Sequence, residues 1–377
     1  MIDQKKFVEY LRNEGVEFIT GVPDTLLNDF CLYIEKYWPK EQHVIAANEG
    51  NAVAIAAGYH LATGSIPLVY MQNSGLGNTV NPLLSLTHRD IYGIPMILLI
   101  GWRGEPGGKD HIQHKKQGEV TPALLEAMDI PYKILTNNLE QSFTTIRWAT
   151  KTAKRTNNPI ALLAGKGVLE KGEKENPNDG NIKLSREEAI RCVIDSVPKN
   201  SIFVATTGRA TRELHALRDM FGENHNTDFL NVGAMGHTSS IALGIALAKK
   251  DRLVVCFDGD SAAIMHLGAL TTTGKTQPPN FLHVILNNGV HESVGGQPSA
   301  GYLINFTAIA ENSGYITPGK AIEKKQDIMD SVKHLILEKK SAFIDIHIKQ
   351  GIRNNLPPLK IVHSQLKDNL MKEIINI

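Results

Sequence analysis

The stretch Leu253-Val-Val-Cys256-Phe257-Asp258-Gly259-Asp260-Ser261-Ala262 decides the fold. An unbroken apolar run ends in an Asp/Gly turn that opens a helix. A second apolar run, Phe281-Leu-His-Val-Ile-Leu286, follows and ends in Asn287-Asn288. Short continuous apolar runs suit strands covered on both faces, and a helix between two of them suits a parallel βαβ unit. The same alternation extends outward in both directions. Apolar runs at 17–20, 44–47, 68–71, 96–100 and 160–164 precede it, with 201–204 nearer by and 343–348 beyond. Near the start, Asp3 is placed to cap a helix through Glu14 that carries Phe7, Val8 and Leu11 at helical spacing. One segment breaks the rhythm: Glu170-Lys-Gly-Glu-Lys-Glu-Asn-Pro-Asn-Asp-Gly-Asn181 is charged and almost free of apolar residues, as linkers are. The expectation is an α/β protein with two doubly wound parallel-sheet domains, residues 1–166 and 184–377, joined by a linker at 167–183.

Composition narrows the function classes. The chain has 377 residues with 40 Lys+Arg against 39 Asp+Glu, so its net charge is +1. No bulk field therefore points to nucleic acid or an anionic membrane. Hydrophobic residues make up 42% and charged ones 21%, an ordinary globular balance that excludes disorder, collagen and coiled coil. The apolar run from Ile94 to Ile100 is too short to span a bilayer, and the first residues lack the apolar core of a signal peptide. Cys31, Cys192 and Cys256 are far apart and odd in number, which argues against a disulfide framework and against a cysteine-based zinc site. The reading is a soluble, cytoplasmic protein with no nucleic-acid or membrane partner.

Three motifs carry chemistry. The first is Gly259-Asp260-Ser261, followed after residues 262–286 by Asn287-Asn288. An anionic oxygen at one strand end and an amide oxygen at the next suit Mg²⁺, a hard cation that takes oxygen ligands and leaves positions for phosphate. Helix N-termini beyond those strands offer N–H donors to a diphosphate. The second is Asn48-Glu49-Gly50-Asn51-Ala52, a carboxylate opening a small-residue helix through Gly58. The helix dipole alone accounts for an acid there. The third is Gly233-Ala234-Met235-Gly236, where Met235 alone reads as core filler. A partial GxGxxG, Gly75-Leu-Gly77-Asn-Thr-Val80, lacks both its third glycine and an acid after the next strand, so a dinucleotide site is set aside.

Taken together, these motifs resemble the thiamine-diphosphate-dependent 2-oxoacid decarboxylases, with Ser261 where that family usually has glycine. The resemblance runs over essentially the whole chain, with Gly21-Val-Pro-Asp-Thr-Leu-Leu27, residues 72–83 and His291-Glu-Ser-Val-Gly-Gly-Gln297 adding to it. It implies the thiamine-diphosphate-binding fold, with thiamine diphosphate and Mg²⁺ as cofactors. Under it, the N-terminal domain binds the aminopyrimidine and the C-terminal domain binds the diphosphate and metal. Glu49 contacts the aminopyrimidine N1′, the Gly233 carbonyl meets its 4′-amino group, and Met235 holds the cofactor folded. Gly259, Asp260, Ser261, Ala262 and Asn288 hold the diphosphate end, and Asp260, Asn288 and the Val290 carbonyl bind the metal. Catalytic roles fall on Glu49, Asp24, His114 and His291. The family also implies a homo-oligomer, at least a dimer, with each active site at a subunit interface.

The substrate reading rests on size and charge. The chain has no room for the middle domain of the large family members, which matches the compact branch acting on phosphonopyruvate and sulfopyruvate. Residues 101–118 carry Arg103, Lys109, Lys115 and Lys116 against Glu105 and Asp110, and Arg353 follows the last strand. A multiply charged anion suits these cations, with Arg103, Lys115, Lys116 and Arg353 as substrate contacts. Gly104, Gly107 and Gly108 suggest a lid, with a solvated basic loop as the plain alternative. The expected reaction is decarboxylation of 3-phosphonopyruvate to phosphonoacetaldehyde and CO₂, a step of phosphonate biosynthesis. Sulfopyruvate is the alternative substrate, and acetolactate-type carboligation the alternative of another class.

Overall fold

The computed structural model describes residues 1–170, 182–359 and 361–375. It divides into two compact units, residues 1–175 with 294–297 and residues 176–293 with 298–377. Residues 171–181 of the expected linker lie outside the described residues.

The first unit is a six-stranded sheet of β1 (Ile19–Gly21), β2 (His43–Ile45), β3 (Leu68–Gln72), β4 (Ile97–Gly101), β5 (Tyr132–Leu135) and β6 (Ile160–Ala164), in the order β2-β1-β3-β4-β6-β5. Every pairing is parallel. Alternate side chains feed two cores. Leu68, Tyr70, Ile97 and Leu99 enter one with the Gln4–Asn13 and Asn28–Tyr37 helices, while Val69, Met71, Leu98 and Ile100 enter the other with the Glu49–Thr63 helix. Burial on both faces explains the continuous apolar runs. Val168 and Leu169, within the stretch read as linker, are buried in the first of these cores, and Leu169 bridges to Ile2.

The second unit repeats the plan with β7 (Ile202–Ala205), β8 (Asp228–Leu230), β9 (Val254–Gly259), β10 (Phe281–Asn287) and a last strand, Ala342–His347. Their order is last strand-β10-β9-β7-β8, again all parallel. Val255 and Phe257 of β9 face one core, Val254 and Cys256 the other. The fold class expected from sequence is the one observed.

Besides the short paired strands Val290–His291 and Gln297–Pro298, two strands escaped the sequence reading, β5 and β8. Both are edge strands, and Ile134 of β5 is 46% exposed, so neither needs an apolar run. A further difference concerns residues 101–118. The Ile112–Ala127 helix begins inside this stretch and carries His114, Lys115 and Lys116 on its first turns. A Cβ on Gly118 would lie 1.8 Å from the Gly104 carbonyl oxygen, and one on Gly104 2.0 Å from that of His114. Gly104 and Gly118 thus serve backbone-to-backbone packing.

Candidate active site

In the first unit the Glu49–Thr63 helix is capped by Asn48, whose side chain accepts from the Asn51 N–H at 3.0 Å. Glu49 is the first helical residue and is 5% exposed. Asn78 Nδ2 donates to Glu49 Oε2 at 2.7 Å. A Cβ on Gly75 would sit 2.4 Å from Glu49 Oε1. The Gly75–Asn78 turn, which superficially suggested dinucleotide binding, thus walls in and orients Glu49.

A second carboxylate, Asp24, lies at the C-terminal end of β1 and is fully buried. Gln72 Nε2 donates to its Oδ1 at 2.5 Å, and the Leu26 and Leu27 N–H groups donate to Oδ2 at 2.9 and 3.3 Å. Burial nevertheless raises its carboxyl above the ordinary range, against those donors and the Arg103 charge. The Arg103 guanidinium grips Asp110 through Nε at 2.7 Å and Nη2 at 2.5 Å, and Nη1 donates to Thr25 Oγ1 at 2.6 Å. Burial alone pushes Asp110 up, but Arg103 and the His111 and Gly104 N–H groups hold it well below the usual carboxylate range. His114 is half-buried, and its Nδ1 is buried without a hydrogen-bond partner. Burial lowers its pKa, and Arg103 lowers it further. Asp24 and His114 therefore share the field of one guanidinium.

The expected cations are unequal. Lys116 pairs with Glu119 at 3.2 Å on the exposed helix surface, and Arg353 donates to Glu187 at 2.8 Å in the second unit. Lys115 is exposed and makes no ion pair among the described residues. Sequence reading placed Gln72 and Asn78 in a polar active-site turn but could not pair them or Asp110 with the side chains they orient, because each lies at least seven residues away along the chain.

In the second unit Asp260 opens the Asp260–Met265 helix directly after β9. Its Oδ2 accepts from Ser299 Oγ. Burial raises its carboxyl to about 6, against the hydrogen bonds from Ser299 and the Ser261 N–H. An anion is costly in that setting unless a cation accompanies it. Ser261 is not among the positive-φ residues, so the glycine usual in the family is not needed for backbone reasons. Ser261 Oγ is buried and has no hydrogen-bond partner. A Cβ on Gly301 would stand 2.5 Å from Asp260 Oδ2. An orphaned hydroxyl beside a buried acid, with glycine keeping the approach open, fits a metal and diphosphate.

Of the two asparagines, Asn287 is occupied structurally. Its Nδ2 donates to the Gly301 carbonyl at 2.8 Å and to Asp345 Oδ1 at 3.3 Å. Asn288 is buried, and its Oδ1 accepts from the Val290 N–H at 3.3 Å, which closes a turn around Gly289 at φ +70°. Within the third motif, Ala234 holds φ +47° and Gly236 φ +84°, leaving half-buried Met235 at the crest of a tight turn. The Gly233 N–H donates to Asn231 Oδ1 at 3.2 Å.

His291 follows the Asn288–Val290 turn, and burial lowers it to about 4, so the ring is neutral at neutral pH. Its neighbour Glu292 is tied down, pairing with Arg186 Nη2 and accepting from the Gly351 N–H. Arg186 Nη1 reaches Glu213 Oε1 at 3.1 Å, and burial raises Glu213 to about 7 despite that opposite charge. Two groups of metal-ligating atoms also come together among the described residues. Strand pairing of His283 with Cys256 puts both beside Asp258, and a surface group of His215, Asp219 and His225 forms another cluster of metal-ligating atoms.

Residues 4–124 match the family model "Thiamine pyrophosphate enzyme, N-terminal TPP binding domain", and residues 206–346 match "Thiamine pyrophosphate enzyme, C-terminal TPP binding domain". A phosphonopyruvate decarboxylase of Streptomyces viridochromogenes is 30% identical over 97% of this chain and 93% of its own. One from Streptomyces hygroscopicus is 33% identical over 84% of this chain and 80% of its own. A sulfopyruvate decarboxylase of Methanosarcina acetivorans is 27% identical over 94% of each. The chain therefore belongs to the thiamine pyrophosphate-dependent decarboxylase family that includes the phosphonopyruvate decarboxylases, and it is a carboxy-lyase of that family.

Proposed function

We propose that this protein decarboxylates 3-phosphonopyruvate to phosphonoacetaldehyde and CO₂ in phosphonate biosynthesis. The observation that carries this reading is the end-to-end similarity to two phosphonopyruvate decarboxylases at 30% and 33% identity. Bound thiamine diphosphate supplies the sink for the electron pair left behind as CO₂ departs. In this reading Asp260, Asn288 and the Val290 carbonyl hold Mg²⁺, and Gly259, Ser261 and Ala262 line the diphosphate. The orphaned Ser261 Oγ and the raised Asp260 carboxyl support that assignment. Glu49 faces N1′ of the aminopyrimidine, Gly233 its amino group, and Met235 the bend between the rings. Residues 1–166 form the pyrimidine-binding domain and 184–377 the diphosphate-binding domain, and the two halves of each site come from different protomers of a homo-oligomer.

The chain's own groups bind the substrate and move its protons. Arg103, Lys115, Lys116 and Arg353 face the doubly charged phosphonate, with Lys115 the cation least engaged elsewhere. Asp24, whose carboxyl burial raises, and His114, whose ring burial lowers, deliver or accept the proton at the substrate carbon. Neutral His291 serves as a hydrogen-bonding group there. Three buried, unpaired cysteines support work in the reducing cytoplasm. The deciding experiment compares kcat/KM for phosphonopyruvate and sulfopyruvate with the purified, cofactor-loaded protein. Phosphonopyruvate is expected to win by at least tenfold, and a preference for sulfopyruvate overturns the choice of substrate.

A further inference from the structure

On the outer side of the second unit, the Arg209–Met220 helix presents His215 and Asp219 one turn apart, and His225 follows in the loop before β8. The two imidazoles stack with centroids 4.1 Å apart and planes 16° apart, although two protonated rings would repel. Both address one carboxylate. His225 Nε2 lies 2.9 Å from Asp219 Oδ1, and His215 Nδ1 lies 3.3 Å from Asp219 Oδ2. One ligand atom from each of the three residues lies within 4.8 Å of the others. In a tetrahedral zinc site with bonds of about 2.0–2.1 Å, neighbouring ligand atoms stand roughly 3.3 Å apart. Asp219 thus already stands at about that edge length from each imidazole, and 4.8 Å bounds the spacing of the three ligand atoms.

The far side of His225 completes the pattern. Its Nδ1 is buried, has no hydrogen-bond partner, and lies 3.8 Å from Asp228 Oδ2. Asp228 is fully buried and anchored by Arg218 through Nε at 3.1 Å and Nη2 at 2.9 Å. Arg218 is held in turn by Glu223, which also binds Arg191. His225 Nε2 is hydrogen-bonded to Asp219 Oδ1; when a divalent ion displaces that proton to solvent, the fixed carboxylate behind Nδ1 keeps the ring in the Nδ1–H tautomer, as outer carboxylates do for metal-bound histidines. We propose that His215, Asp219 and His225 form a surface site for an imidazole-preferring divalent transition ion such as Zn²⁺, separate from the cofactor-binding motifs. Two imidazoles and one carboxylate favour such an ion over Mg²⁺, which prefers oxygen ligands. The side chains of His215 and His225 are 19% and 25% exposed, so solvent ligands can fill the remaining positions.

The test is calorimetric titration of the full-length protein with Zn²⁺, in excess Mg²⁺ and thiamine diphosphate so that oxygen-ligand sites are filled. One zinc site is expected whose affinity falls at least tenfold in His215→Ala, His225→Ala and Asp219→Asn. Unchanged affinity and stoichiometry in all three overturn the proposal. A second measurement needs no variant. Carbethoxylation mapped by mass spectrometry should modify His215 and His225 in the zinc-free protein and spare both when Zn²⁺ is present. Equal modification of both residues with and without Zn²⁺ overturns it as well.

Discussion

The two units share one sheet plan, yet they treat their buried carboxylates differently. In the first, Asp24 receives four donors from its own unit, Gln72, Thr25 and the Leu26 and Leu27 N–H groups, and Glu49 is gripped by Asn78 and walled by Gly75. In the second, Asp260 accepts from Ser299 Oγ and from the Ser261 N–H, and the Ser261 hydroxyl beside it is orphaned. A side chain that must hold one geometry toward a reacting group benefits from saturating support within its own unit. What sets the second acid apart is the unpartnered Ser261 hydroxyl beside it. The difference suits an acid that orients the cofactor in one unit and a receiving cradle in the other.

The comparison breaks most sharply at Glu49. Replacing it with Gln keeps the shape and the helix start but removes the acid, so kcat should fall at least about 10²-fold, measured as CO₂ release under cofactor saturation. A retained rate would remove Glu49 from the chemistry. Gly75→Ala tests the wall without touching the acid. Its methyl group would stand 2.4 Å from Glu49 Oε1, so the carboxylate must move. The expected outcome is roughly a tenfold or greater loss of kcat with about 1–3 kcal/mol lost in a urea melt.

Glu213 sharpens the second unit. Its carboxyl is raised from 4.5 to about 7, so the stability linked to its protonated form is present below about pH 4.5 and is lost as pH rises through 7. Relative to Glu213→Gln, the wild type should therefore lose on the order of 2–3 kcal/mol between acid and mildly alkaline pH, read from paired urea melts. A constant difference across that range would show that Arg186 fully offsets the burial. The smallest effect is expected at Ser261→Gly. The backbone there needs no glycine, so stability should change by no more than about 1 kcal/mol. Any loss of thiamine diphosphate affinity then reports what the Ser261 hydroxyl contributes.

Several features were legible before any coordinates. The runs at 68–71, 96–100, 160–164 and 281–286 all became interior strands, because burial on both faces demands unbroken apolar sequence. Glu49 at a helix start and Asp260 after a strand were also placed correctly in the chain. Strands β5 and β8 were invisible for the opposite reason: an edge strand pairs on one side only and tolerates polar residues. In the basic stretch at 101–118 the start of the Ile112–Ala127 helix went unread, and Gly104, taken as a hinge, lets its backbone approach that of His114.

Sequence alone settled what local periodicity and short motifs can encode, namely two parallel α/β units and the order of the cofactor-binding segments. Tertiary structure decided the partnerships: Asn78 with Glu49, Gln72 with Asp24, Asp110 with Arg103, and His225 with Asp219. A strand's burial is written into its own residues. A hydrogen-bond partner is chosen by how separate segments cross in space, and no window along the chain records that.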